Sequence, residues 1–228
     1  MHLPSHIRAV TELDPSSGAV QYRATWHTWG ELAAIRDTLD TVLTERGIVP
    51  GMPVGVVARN RPHVIAAILG LFCTNRAVVV VNSMLPAAAV EDDVYNLRLP
   101  ALIADPSDWA RGDLIETARS VSTVGIRVPD QCDAKPTFVD GLEHGTTEDR
   151  FVVRVGTAAC MLTSGTTGPP KRVAISYRNF EQALDAHAHY GNGFGSARLS
   201  NAVNILSVPP VNITGMWQLI TSVVLGRR

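Results

Sequence analysis

The sequence predicts an α/β protein built on a parallel sheet, and three observations predict it. Short β-prone runs occur at Val54–Ala58, Ala77–Val81, Ala101–Ala104 and Thr123–Val128, with starts 23, 24 and 22 residues apart. The gaps carry helical patterns opened by Pro62 and Pro86, and another begins near Pro106. Proline suits a first helical turn because the N–H it lacks would have no intrahelical partner there. The run Ala77–Val81 is apolar throughout and does not alternate, as expected of a strand covered on both faces. Strand, helix, strand at this interval demands right-handed crossovers onto a parallel sheet.

Ahead of these runs, the first long periodic segment starts at Thr28. Thr28 and Glu31 have capping-box spacing, the hydroxyl accepting from the N3 amide while the carboxylate reaches back. Leu32, Ile35, Leu39, Val42 and Leu43 then share one helical face, and Gly47 supplies a stop. After the strands, residues 129–150, with Pro129, Pro136, Gly141 and Gly145, read as an irregular connection. A second unit follows: a buried strand at Thr157–Leu162, a loop at Thr163–Lys171 and a short strand at Val173–Ser176. Next come a helix over Tyr177–Tyr190 with Ser176 as N-cap, a break at Gly191–Ser196, a strand at Val203–Val208 and a helix over Thr214–Leu225.

The expected organisation is therefore an N-terminal α/β subdomain over residues 1–150 and a partial second one over 151–228, which opens a second sheet layer. The apolar helix near the last residue suggests a piece of something longer. Its stretch Trp217–Leu225 is expected to expose apolar surface that allows self-association.

Hydrophobic residues make up 46% of the 228 and charged residues only 18%, with a net charge of −1. That balance excludes a disordered chain and a coiled coil, and it offers no basic footprint for nucleic acid. The longest apolar stretch, Val64–Cys73, is far short of the roughly 20 residues that span a bilayer, and Met1–Val10 lacks the apolar core of a signal peptide. Cys73, Cys132 and Cys160 form neither a disulfide framework nor a CxxC pair. A cytoplasmic setting is expected.

Chemistry concentrates in Thr163-Ser164-Gly165-Thr166-Thr167-Gly168-Pro169-Pro170-Lys171, which packs four hydroxyls, two glycines and a lysine into nine residues. Glycine lets backbone amides turn inward and a ligand approach closely. Successive inward amides form an anion-binding concavity, and lysine is a point charge suited to phosphate. A flexible linker is the competing reading; the buried strand running into the segment and the lysine at its end weigh against it. Lys171 follows Pro170 and precedes Arg172, unlike the Walker A order. Gly165 and Gly168 lack the third glycine of a dinucleotide fingerprint. Thr163-Ser164-Gly165 is not a hydrolase nucleophile elbow.

Residues 161–180, MLTSGTTGPPKRVAISYRNF, resemble the phosphate-loop signature of the adenylate-forming superfamily, which includes acyl-CoA synthetases, nonribosomal peptide adenylation domains and luciferases. The resemblance extends upstream through the segment from Thr28 to Asn82 and downstream to Val208–Gly215, covering roughly residues 26–226. It implies attack of a carboxylate on the α-phosphorus of Mg2+-bound ATP, release of pyrophosphate and transfer of the acyl group to a thiol, coenzyme A or a carrier protein. Carried over by position, Thr163, Ser164, Gly165, Thr166, Thr167, Gly168 and Lys171 would surround the β- and γ-phosphates, with Lys171 the catalytic cation. The acid is expected to be a fatty or other acyl acid.

Two departures from the family pattern stand out. Arg172 replaces a common glycine, and Asn212 lies where many members carry a histidine, so any role needing imidazole is lost. Asn212, Gly215, Met216 and Trp217 are substrate-pocket candidates, with a turn role for Asn212 and core packing for Met216 and Trp217 as competing readings. The family's adenine, ribose and Mg2+ segments, its hinge and its lid lysine would all lie past Arg228, so this stretch alone is expected to be inactive. A non-catalytic relative that binds nucleotide, carrier protein or its own copies is the alternative function. No metal site is expected: His187 and His189 lack a partnering Cys or acid cluster, and Asp92 and Asp93 read as a solvated helix face.

Overall fold

The computed structural model describes residues 2–131, 134–146, 148–163, 171–188 and 195–228. In chain order, α1 (Leu3–Glu12) leads into a hairpin of β1 (Gly18–Tyr22) and β2 (Thr25–Thr28). Then follow α2 (Trp29–Glu45), β3 (Pro53–Ala58), α3 (Pro62–Cys73), β4 (Ala77–Asn82), α4 (Ala87–Leu97), β5 (Ala101–Ala104), α5 (Pro106–Trp109), α6 (Leu114–Ser120) and β6 (Val124–Arg127). The remainder comprises β7 (Thr137–Phe138), β8 (Thr157–Leu162), β9 (Arg172–Ser176), α7 (Tyr177–Ala188) and α8 (Ile213–Val224).

β3 to β9 form one seven-stranded sheet in the order β7-β6-β5-β3-β4-β8-β9. β6, β5, β3, β4 and β8 are mutually parallel, and antiparallel β7 and β9 close the two edges. The parallel sheet expected from the strand spacing is thus present. The strands past residue 150 do not open a second layer: β8 pairs with β4, in register Val78 with Ala159, and the sheet continues across the proposed subdomain boundary.

Side-chain alternation sorts the sheet into two faces. Val54, Val56, Val78, Val80, Ala101 and Ile103 pack with α1, α2, α3, α7 and α8. Val57, Val81, Leu102 and Ala104 pack with α4, α5 and α6. Every residue of β3 is buried. The capping box forms as read: Glu31 N donates to Thr28 Oγ1 at 3.2 Å and Thr28 N to Glu31 Oε2 at 2.6 Å. A matching reciprocal pair opens α7, with Asn179 N donating to Ser176 Oγ at 3.1 Å and Ser176 N to Asn179 Oδ1 at 3.1 Å. The helix expected near Pro106 is split into α5 and α6 by a turn at Gly112, whose φ of 59° favours glycine.

Three expectations change. The stretch ahead of Thr28 is structured: Leu3, Ile7 and Val10 of α1 join the main core, which a search for long periodic segments passes over because α1 is short. Val203–Val208 joins no sheet. Its first residues make a two-bond parallel contact with the last one, Arg228 N to Ala202 O at 3.0 Å and Asn204 N to Arg228 O at 2.7 Å, and β-prone residues become a strand only where a ladder partner exists. Finally, α8 is not the exposed apolar surface. Met216, Leu219, Ile220, Val223 and Val224 are buried, while Val203 and Ile205 are 66% and 79% exposed. The expectations for His189, Tyr190, Cys132 and residues 191–194 lie outside the described residues, as does the His187 side chain.

Candidate functional site

The hydroxyl- and glycine-rich segment sits at the carboxyl end of β8. Thr157–Met161 are buried, and the parallel pairing with β4 aims the chain toward the end of the sheet where open α/β folds bind ligands. β9 returns antiparallel, pairing Leu162 with Arg172. Thr163 N donates to Lys171 O at 2.8 Å, and Thr163 Oγ1 donates to the same carbonyl at 3.1 Å. The two described ends of the segment, Thr163 and Lys171, are thus clasped to each other. Ser164, Gly165, Thr166, Thr167 and Gly168 lie outside the described residues. Thr163 and Lys171 are exposed, and among the described residues the Lys171 ammonium makes no ion pair.

Arg172 has a different job from its neighbour. Its Nη1 donates to Val80 O at 2.7 Å, and its Nη2 donates to Asp93 Oδ1 and Oδ2 at 2.8 and 2.6 Å. Arg172 therefore fastens the start of β9 across β4 to α4. Asp93 is no solvated helix residue but the anchor of the loop's base, its side chain 19% exposed. The signal was available in the sequence, since an arginine at the head of a β-prone run needs a counter-charge once the run joins a sheet. Which acid supplies it follows only from the sheet order.

The second candidate group is the turn before α8. Asn212 is its N-cap: Gly215 N donates to Asn212 Oδ1 at 3.1 Å. A Cβ on Gly215 would lie 2.2 Å from Pro209 O, so this position admits no side chain. Met216 is fully buried in the main core, and the Trp217 ring stacks on Phe180 at 6.2 Å. The structure thus joins Asn212 to Gly215 through a cap and places Met216 and Trp217 among core residues.

Sequence reading missed two features. One is an apolar cleft of about 400 Å³ beneath the β1–β2 hairpin, whose lining includes Tyr22, Trp26, Trp29, Ile65, Leu219 and Arg228. It is assembled from four separate stretches of chain, so no local pattern marks it. The other is a charged cluster at the ends of β3 and β5. There Arg59 binds Asp108 bidentately at 2.6 and 2.5 Å, and Arg61 binds Asp105 at 2.6 Å. Burial alone would raise the Asp105 carboxyl. The facing His63 ring, the Ser107 hydroxyl, the Asp108 amide and the Arg61 guanidinium together hold it well below the usual carboxylate range. The cysteines are chemically quiet by comparison: burial pushes the Cys73 thiol up to about 11 and raises that of Cys160.

The chain matches the AMP-binding enzyme family over residues 8–228. It is 24% identical over 222 residues to the nonribosomal peptide synthetase atnA of Emericella nidulans, covering 97% of this chain and 3% of that protein. It is 26% identical over 239 residues to the 2-succinylbenzoate–CoA ligase of Bacillus pumilus, covering 99% of this chain and 43% of that ligase. Among solved structures, ATP-bound MatB from Rhodopseudomonas palustris superposes with a TM-score of 0.73 at 18% identity, covering all of this chain and 44% of that one. The chain spans less than half the length of each of these proteins. No helix among the described residues is long and apolar enough to cross a membrane.

Proposed function

The chain belongs to the AMP-binding enzyme family, and from that premise we propose that it supplies the triphosphate-binding part of a site that activates a carboxylic acid with ATP. In the first half-reaction a carboxylate oxygen attacks the α-phosphorus, the bond from that phosphorus to the bridging oxygen breaks, and pyrophosphate leaves. In the second, a thiol sulfur attacks the acyl carbonyl carbon, AMP departs with its oxygen, and a thioester remains. Such chemistry depends mainly on positioning and on neutralising charge as it shifts.

The observation that carries this reading is the clasp between Thr163 and Lys171 at the carboxyl end of β8, with an ammonium at Lys171 that makes no ion pair among the described residues. The composition of Thr163–Lys171, hydroxyls and amides with one cation and no carboxylate, fits a polyanion. Bound Mg2+ would supply further charge neutralisation to the polyphosphate. Thr163, Ser164, Gly165, Thr166, Thr167 and Gly168 donate to the β- and γ-phosphate oxygens, and Lys171 neutralises them. The Arg172–Asp93 pair holds the root of the loop still without touching the ligand. The acyl group runs past the Asn212–Gly215 turn, with Met216 and Trp217 backing it from the core.

An acyl acid and coenzyme A, in the manner the Bacillus ligase's name states, are the proposed substrate and acceptor. Likeness to a peptide synthetase makes a carrier protein the second candidate acceptor, and the proposed location is the cytoplasm. Removing one charge-assisted contact in Lys171→Ala should weaken binding of a non-hydrolysable ATP analogue by roughly 1.5–3 kcal/mol in isothermal titration. Equal affinity in mutant and parent would overturn the loop assignment. Carboxylate-dependent exchange of labelled pyrophosphate into ATP by the complete gene product tests the reaction itself; no exchange with any acid would favour a non-catalytic nucleotide-binding module.

A further inference from the structure

β4 lies on one side of β3 and β5 on the other, so the strand order reverses at β3. The helices that follow β3 and β4, α3 and α4, pack on opposite faces of the sheet. The crevice at the carboxyl ends of strands at such a reversal is the usual ligand site of an open α/β sheet. Three side chains from three separate turns converge there: His63 from the first turn of α3, Asp105 from the turn after β5, and Asp130 from the turn after β6.

His63 is 2% exposed, and among the described residues neither of its ring nitrogens has a hydrogen-bond partner. A buried imidazole normally satisfies both. Its Nε2 faces Asp105 Oδ2 at 3.9 Å and Asp130 Oδ1 at 3.9 Å. That is too long for a hydrogen bond. It is, however, within the span of about 4.2 Å that two ligands of one ion at about 2.0–2.2 Å each can reach.

Charge points the same way. Arg59, 3.7 Å from Asp105, is committed to a bidentate pair with Asp108. Arg61 alone must serve both Asp105, at 2.6 Å, and Asp130, at 3.8 Å. Two carboxylates against one guanidinium leave a negative charge over. Asp105 is already oriented from behind, since its Oδ1 accepts from Ser107 Oγ and Asp108 N, the kind of outer support that metal-ligating carboxylates have.

We propose that His63 Nε2, Asp105 Oδ2 and Asp130 Oδ1 bind one divalent transition-metal ion of the zinc type, with water completing the coordination. One imidazole with two carboxylates suits zinc or cobalt better than magnesium or calcium, which prefer oxygen alone. Asp130, 64% exposed, gives the ion its way in from solvent. The bound ion would tie together the turns that follow β3, β5 and β6, independently of the phosphate loop.

The test is equilibrium dialysis of the tag-free protein against Zn2+ with Mg2+ in excess, together with visible spectroscopy of the Co2+ form. The expected result is one equivalent of zinc per chain and cobalt d–d bands without a thiolate charge-transfer band. Asp130→Asn, an exposed substitution that leaves the fold intact, and His63→Gln should each lower zinc affinity about tenfold or more. No zinc bound by the parent, unchanged affinity in both variants, or a thiolate band placing the metal on a cysteine would each overturn the proposal.

Discussion

Between Pro53 and Arg127 the strands of the sheet lie between two covered faces, and their residues alternate between two helical layers. From Thr157 onward the same sheet runs out: β8 is buried, but β9 is partly exposed along its whole length. The first region spends its residues on closing a core. The second leaves much of β9 at the surface and is held in place by a few discrete anchors. The difference shows how the two ends of the Thr163–Lys171 segment are positioned: their flanks are fixed by Phe72–Tyr177–Phe180 ring contacts and by Arg172.

The largest effect should come from breaking the seam between the two regions. Phe72 is fully buried on α3 and meets Tyr177 and Phe180 edge-on at 5.8 and 5.6 Å. Phe72→Ala should cost about 3–5 kcal/mol in urea unfolding, and a loss near 1 kcal/mol would mean that the two regions are not one cooperative unit.

Arg172→Ala should cost about 2 kcal/mol by removing a half-buried bidentate pair. Lys171→Ala, one residue away and exposed, should change stability by less than about 0.5 kcal/mol. Equal costs would erase the distinction between the anchored arginine and the exposed lysine.

The charged cluster in the first region supplies an acid limb. Because the folded Asp105 carboxyl titrates below its unfolded value, its stabilisation is fully present above the unfolded pKa of about 4 and is lost as pH falls through the folded one. Melting temperature should therefore drop below about pH 4 in the parent, and Asp105→Asn should flatten that drop. An unchanged acid limb in the variant would show that other carboxylates set it. A smaller loss than at Arg172 belongs to the cap in the second region: Asn212→Ala should cost about 1 kcal/mol, read from the same unfolding curves.

Much of the first region was legible in the chain because its rules are local. The 22–24-residue spacing, Pro62 and Pro86, and the Thr28–Glu31 box each report a constraint that acts within one element. The second region was legible in its chemistry and less so in its architecture. Thr163–Lys171 reads as an anion cradle from residue types alone, yet Val203–Val208 has the composition of a strand and lacks the neighbour that would make it one. Asp93 looked like a surface acid because α4 is amphipathic, and its partner lies 79 residues away on β9.

The sequence by itself determined most of the helices and strands between Thr28 and Arg127, that the sheet is mostly parallel, and that hydroxyls, glycines and one lysine concentrate at Thr163–Lys171. Those properties follow from side-chain periodicity and from donors placed close together along the chain. Only the tertiary structure decided that the strands past residue 150 join the first sheet, that α8 turns its apolar face inward, and that His63, Asp105 and Asp130 meet. Each of these depends on which strands are neighbours, and neighbour order is set by the summed packing of both sheet faces, a quantity that no local stretch of sequence contains.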